Sequence, residues 1–378
     1  MGIYLHIPFC RQKCIYCDFP AYQGLQDYYD RYVEALCKEI DLWCGANPKS
    51  MHYLVDTVYF GGGTPTELTN AQLERILNHL KHYFTFKEIV KISIEANPGE
   101  ITMDQLVGAK AMGVNRISFG VQTFNDDALQ LLNRSHTGSE AIRSIEYAYE
   151  AGFTDINIDL IYALPNQSID ELQENLYIIS KLPINHVSTY GLQVEDVTYL
   201  GYLVRYNKLT LPSEALEDSM YDMVMSELER IGFERYEISN FAKAGAYSRH
   251  NLRYWMYKDY LGFGAGAHSF YDGVRRGNNR NVVPYMQMIN QAALPVVERT
   301  IIDKSRAEED YCFLGLRTKW GIHEQHFNDY FHESLTDVFG DVLYRLINQG
   351  LLYKANSAYI LTPEGAKHGN YVFEQFLR

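Results

Sequence analysis

Three cysteines at C-x3-C-x2-C spacing, Cys10, Cys14 and Cys17, are the residues of this chain best placed to do chemistry together. Thiolates this close in sequence can converge on one metal centre. As ligands of an iron–sulfur cluster they would hold three irons and leave another free to bind something else. The competing readings are a zinc site and unrelated thiols. A structural zinc site needs a fourth ligand, usually from a second Cys/His pair. Cys37, Cys44 and Cys312 are scattered and form no such pair, although His6 is near enough to serve.

Three further groups stand out. The run Gly61-Gly62-Gly63-Thr64-Pro65 follows a strand-like stretch and precedes a helical one. In that setting backbone N–H groups can face an anion at close range. No nucleotide-loop lysine follows it, so beside the cysteines its amides read as a cradle for the amine or carboxylate of a chelate on the free iron. Glu95 and Asp159 are acidic residues near strand ends; they suit hydrogen bonding to an amine or a ribose, against the alternative of a salt bridge to Arg134 or Arg116. His250, in His250-Asn251-Leu252-Arg253-Tyr254-Trp255, offers an imidazole for iron and two aromatics to cover a ring. On spacing alone, a packed loop histidine bonded to Asn251 is the better reading of it.

The elements that must position these residues alternate. Strand-like stretches at 3–7, 58–60, 92–95, 116–120, 155–160 and 186–190 are separated by amphipathic helical patterns, one of which begins at the capping box Thr102/Gln105 and stops at Gly113. Alternating units of this size imply α/β architecture with a parallel sheet and right-handed crossovers. Six units make either a partial (β/α)6 TIM-like barrel or an open doubly wound sheet. One face of each strand is apolar, as in Ile3, Leu5, Ile92, Ile94, Ile117, Phe119, Ile156 and Ile158. The other is polar or small, as in Tyr4, His6, Ser93, Glu95, Ser118, Gly120, Gln122, Asn157 and Asp159. Parallel strands covered on both faces read as continuous apolar runs, so a polar row in every strand points to a lumen that holds a polar ligand. Glu95, Gln122 and Asp159 fall at the carboxyl ends of their strands, where such folds place their chemistry.

These patterns divide the chain into a barrel with its cysteine loop at 1–195, an irregular extension carrying the His250 motif at 196–300, and a C-terminal, mostly helical, winged-helix-like unit at 301–378. In the last, helices near 306–318 and 335–348 precede a hairpin through Asn356-Ser357. The hairpin carries only Lys354, so the shape gives no DNA-binding face. A net charge of −13 argues against nucleic-acid binding generally. No apolar run is long enough for a membrane span, and no signal peptide is read at the start. Six cysteines in 378 residues do not make a disulfide framework, and clustered thiolates need a reducing compartment, which predicts a cytoplasmic protein. The 31 tyrosines suit a large planar ligand but equally any half-buried surface.

The cysteine motif with an aromatic, Tyr16, just before its last member, followed by Gly-Gly-Gly-Thr-Pro, resembles the radical S-adenosylmethionine (SAM) superfamily over essentially the whole chain. Within it, Ile7-Pro8-Phe9-Cys10, Gly120-Val121-Gln122-Thr123-Phe124, Asp159-Leu160-Ile161-Tyr162 and Leu164-Pro165 resemble the branch that holds coproporphyrinogen III dehydrogenases (HemN) and haem chaperones (HemW). The resemblance implies a radical SAM barrel with a [4Fe-4S] cluster on Cys10, Cys14 and Cys17, its free iron chelated by S-adenosylmethionine. It assigns Tyr4, Gly62 and Glu95 to that molecule. It matches Tyr16, Gly63, Thr64, Gln122, Arg134 and Asp159 to positions that contact a second copy in the dehydrogenase. The dehydrogenase has a further cysteine where this chain has Phe19, and a long N-terminal extension where nine residues precede Cys10. Both departures favour the haem chaperones, whose motif then makes His250 a haem contact. The implied function is binding haem and delivering it to acceptors such as respiratory proteins. The alternative is an oxygen-independent coproporphyrinogen III oxidase. Peripheral membrane contact and a homodimer stay open.

Overall fold

The computed structural model describes residues 1–378. Six parallel strands form its centre: β1 (Gly2–Ile7), β2 (Val55–Gly62), β3 (Phe86–Ala96), β4 (Arg116–Gln122), β5 (Ile156–Tyr162) and β6 (His186–Gly191). They pair in sequence order, and the helices between them cover one face. The apolar row predicted for that face is buried: Ile3, Leu5, Phe60, Ile117, Phe119, Ile156 and Ile158 have no exposed surface. Burial of this row against Leu36, Ile40, Ile76, Leu77, Ile145 and Leu176 forms the main core. The helices start where the sequence can cap them. Thr69/Gln72, Thr102/Gln105 and Thr137/Glu140 are complete capping boxes, and Gly113 ends the helix Met103–Met112 at φ 107°.

The stretch 196–300, expected to be an irregular extension, instead supplies both edges of the sheet. Strands β7 (Glu234–Arg235) and β8 (Asn240–Ala242) add antiparallel to β6. On the other side β9 (Tyr260–Phe263) joins β1 in parallel, and β10 (His268–Tyr271), β11 (Val274–Asn278) and β12 (Val296–Ile301) follow antiparallel. The sheet has twelve strands. The two strands added beside β6 run only two and three residues, too short for alternation to announce them. A buried carboxylate fastens this segment to the barrel: Glu39, on the helix Tyr29–Ala46, accepts from Tyr285 Oη at 2.6 Å, Asn278 Nδ2 at 2.6 Å and Gly264 N at 2.8 Å.

The C-terminal unit has its own core of Cys312, Leu316, Phe327, Phe339, Leu343 and Leu346. Its sheet orders β13 (Ile322–His323), β15 (Ala358–Leu361) and β14 (Leu352–Ala355). The last two form the expected hairpin, turning through Asn356 and Ser357 at φ 48° and 63°. No helix is long and apolar enough to cross a membrane.

Candidate functional site

The polar strand faces surround a cavity of about 630 Å³, and the cysteine loop lies at its mouth. Tyr4, Tyr59, Glu95, Ser118, Asn157 and Asp159 line it from β1 to β5. The three cysteines and the ten residues that the resemblance matches to cofactor positions line this same cavity, although they come from the length of the chain between residues 4 and 250.

The loop is pinned by its backbone. Cys10 N donates to Tyr22 O, Ile15 N to Leu132 O, and Leu200 N to Ile15 O, at 2.8–3.2 Å. The thiols also have donors. Arg134 Nη1 lies 3.1 Å from Cys14 Sγ, and Thr64 Oγ1 lies 3.5 Å from Cys10 Sγ. Asn97 joins the two: its Nδ2 donates to Thr64 Oγ1 at 3.0 Å and its Oδ1 accepts from Arg134 Nη2 at 2.9 Å. Sequence reasoning missed Asn97; its position just past the end of β3, two residues after Glu95, was the available signal. Burial pushes the Cys10 thiol up to about 11 and raises Cys17 as well. Such thiols stay protonated at neutral pH unless a cationic centre makes them thiolates. Hydrogen-bond donors aimed at two sulfurs suit ligands of an iron–sulfur cluster, whose sulfurs are commonly so supported.

No three His, Cys, Asp or Glu side chains are close enough to share one metal ion. His6 does not complete a zinc set. Its Nδ1 bonds Tyr4 Oη and its Nε2 bonds Pro20 O, each at 3.0 Å, and burial lowers it to about 4.

The glycine run works differently from the anion cradle expected of it. Gly62 N donates to Glu95 Oε2 at 3.0 Å, Gly63 N to Ile7 O at 2.9 Å, and Thr64 N to Phe9 O at 2.7 Å. All three amides are spent inside the protein. What the glycines supply is close approach: a side chain at Gly62 would meet the His6 ring at 2.6 Å, and one at Gly63 would meet Phe9 O at 2.6 Å. Glu95 also accepts from Tyr59 Oη at 2.8 Å, and burial raises it to about 7. Asp159 accepts from Asn157 Nδ2 at 2.8 Å and is likewise raised by burial. Neither carboxylate forms the salt bridge considered for it: Arg116 faces Asp155 at 3.4 Å, and Arg134 is taken by Cys14, Asn97 and Gly120 O. Gln122 ends β4 at φ 70°, in the left-handed region.

His250, on the helix Arg249–Trp255, is buried at the far end of the lumen. It bonds neither Asn251 nor solvent. Nδ1 lies 2.9 Å from Thr57 Oγ1, Nε2 lies 2.7 Å from Tyr254 Oη, and the ring stacks on Tyr59 at 5.2 Å. Burial lowers it to about 3, so it is neutral. Tyr254 lines the cavity, as expected of a ring cover. Trp255 does not: it turns away, with the Arg317 guanidinium 4.4 Å over its ring.

Residues 4–176 match the Radical SAM superfamily, and residues 309–366 match the HemN C-terminal domain. Heme chaperone HemW of Bacillus subtilis is 38% identical over 99% of this chain and 98% of its own length. Heme chaperone HemW of Escherichia coli is 34% identical over 76% of each chain. The solved coproporphyrinogen III oxidase (HemN) of Escherichia coli superposes with a TM-score of 0.86 over 99% of this chain and 89% of that one, at 24% identity, a likeness of fold. Identity at this level, sustained end to end and joined to a polar lumen with three thiols at its mouth, places the chain in the HemW family of the radical SAM superfamily.

Proposed function

We infer that this protein is a haem chaperone, holding haem together with a [4Fe-4S] cluster and S-adenosylmethionine and passing haem to acceptor proteins. The observation that carries this reading is the full-length match to the Bacillus subtilis heme chaperone. Respiratory haem proteins as acceptors and a cytoplasmic setting, where thiols stay reduced, belong to the same proposal.

Cys10, Cys14 and Cys17 would hold the cluster, with Arg134 and Thr64 donating to their sulfurs. When bound, the pair of cofactors supplies one-electron chemistry at a sulfonium. The chain's own part is binding and positioning. Glu95 is placed to accept from the ligand's amine, Tyr4 and Tyr59 wall the lumen beside it, and Asp159 offers a second acceptor. Gly62, Gly63 and Thr64 set the loop against residues 7–9, while Tyr16 and Gln122 border the mouth.

Glu95 makes the binding step pH-dependent. A cationic ligand favours the carboxylate, so binding releases a proton below about pH 7, and S-adenosylmethionine affinity should fall about tenfold from pH 8 to pH 6. Glu95→Gln should flatten the profile. Stability without ligand runs the other way. The raised value favours the neutral acid in the folded state, so this group's contribution is present at low pH and is lost as pH rises through about 7. Calorimetric titration at several pH values reads the first, and denaturant midpoints read the second.

Anaerobic titration with haem, watched in the Soret region, tests the proposal beside turnover of coproporphyrinogen III on the same cluster-loaded sample. Haem binding without product supports it; product without haem binding overturns it in favour of the oxidase. The role proposed for His250 has a sharper test. Its Nε2 must leave Tyr254 to meet iron, against a hydrogen bond worth ~0.5–1.5 kcal/mol net. Tyr254→Phe should therefore tighten haem by roughly two- to tenfold, and His250→Ala should remove the ligation signature.

A further inference from the structure

Several of the lumen's polar groups are paired with one another. Asn157 donates to Ser118 Oγ at 2.7 Å and to Asp159, while its Oδ1 accepts from Ser188 Oγ at 3.2 Å. Glu95 has Tyr59 and Gly62, and Arg134 has Cys14, Asn97 and Gly120. Arg116, which begins β4, is different. It lines the cavity yet is only 2% exposed. A guanidinium carries five N–H donors. This one meets Asp155 at 3.4 Å through Nε, but Nε makes no hydrogen bond, and none of the chain's hydrogen bonds ends on its terminal nitrogens. Asp155 is itself engaged by Lys91 Nζ at 2.7 Å. A buried guanidinium with its donors unmet is costly to keep, and here it faces open space.

We propose that Arg116 receives a carboxylate of the lumen ligand, namely a propionate of haem; this rests on the haem-chaperone reading above. The guanidinium fork matches a planar two-oxygen anion. Glu95 and Asp159 both feel the charge of Arg116, so its fork is where this otherwise acidic wall can accept an anion. The walls around it are aromatic, from Tyr4, Tyr59 and Tyr254, and suit the flat apolar body that carries the carboxylate. The methionyl carboxylate of S-adenosylmethionine is the other carboxylate at hand, but the cysteines lie at the opposite end. Gly120, which bonds Arg134 beside Cys14, is four residues along β4 from Arg116, roughly 13 Å at strand rise. The ladder register also sets Arg116 beside Ser93, and Ser93 beside Tyr59, the residue on which His250 stacks. Arg116 and His250 therefore share one level of the barrel, on walls two strands apart.

The test uses cluster-loaded full-length protein, titrated in the Soret region with haem and with haem dimethyl ester, whose propionates are blocked. The unsubstituted protein should prefer haem by roughly ten- to a hundredfold, the range for a charge-assisted hydrogen bond. Arg116→Met should bind both forms alike, at the affinity of the unsubstituted protein for the ester, Arg116→Lys should keep part of the preference, and S-adenosylmethionine affinity should be unchanged. A merely structural Arg116 would weaken both forms equally and leave the preference standing, which overturns the assignment. So does equal binding of haem and ester by the unsubstituted protein, an outcome that needs no variant to fold. Loss of S-adenosylmethionine binding in Arg116→Met would give the carboxylate to that molecule instead. If neither porphyrin shifts the Soret band, it is the haem-chaperone reading that fails.

Discussion

Cys10→Ala, Cys14→Ala and Cys17→Ala should each abolish the iron and sulfide content of anaerobically reconstituted protein, together with its visible thiolate–iron absorption. A cluster held by three protein ligands has none to spare. Each thiol also belongs to a loop fixed from outside by Tyr22, Leu132 and Leu200, so no neighbouring residue can slide in as a substitute. The remaining cysteines provide the contrast. Cys37, Cys44 and Cys312 are buried in hydrophobic cores, and Cys→Ala at any of them should leave iron at the unsubstituted level. Cys312→Ala should instead cost on the order of 1 kcal/mol in a denaturant melt, since a well-packed buried group is removed. Full iron content in Cys14→Ala would contradict the ligand assignment; zinc in place of iron in the unsubstituted protein would contradict the cluster.

Gly63→Ala should be severe for a single added methyl group. Its Cβ would lie 2.6 Å from Phe9 O, 2.9 Å from Phe9 N and 3.0 Å from Ile7 O. These are backbone atoms of the segment that leads into Cys10, and they cannot rotate aside. Relief requires the glycine loop to move off residues 7–9, which breaks the bonds from Gly63 N to Ile7 O and from Thr64 N to Phe9 O. Two buried hydrogen bonds and the attendant misfit amount to ~2–4 kcal/mol. The displaced Thr64 hydroxyl also leaves Cys10 Sγ, so cluster occupancy should drop along with the melting point. Gly340→Ala is the control with the opposite sign. Gly340 lies within the helix Leu335–Asn348, and nothing stands within 4 Å of the added carbon, so the change should stabilise by ~0.5–1 kcal/mol. A Gly63→Ala protein with normal iron and an unchanged melt would show that the loop does not position the cysteines.

Much of the lumen was legible because it is written with local periods. The two-residue alternation from Ile3 to Tyr190 separates a buried face from a wet one, whatever the strands pair with. Tight spacing alone collects Cys10, Cys14 and Cys17 on one loop, and the capping boxes fix where helices begin. Other features were decided by partners far away in the chain. Strands as short as Glu234–Arg235 and Asn240–Ala242 exist because β6 offers them an edge. The glycine amides looked free for an anion until Ile7, Phe9 and Glu95 claimed them. His250 reads by spacing as a loop histidine bonded to Asn251 and by resemblance as a haem contact, yet Thr57, 193 residues earlier, takes one ring nitrogen and Tyr254 the other. Arg116 reads as a salt-bridge partner for Glu95 or Asp159, and only the folded sheet shows it lining the lumen with donors unmet. Periodicity fixes which face a side chain takes. Which hydrogen bonds it spends, and which it keeps for a ligand, is set by groups that only folding brings within 3 Å.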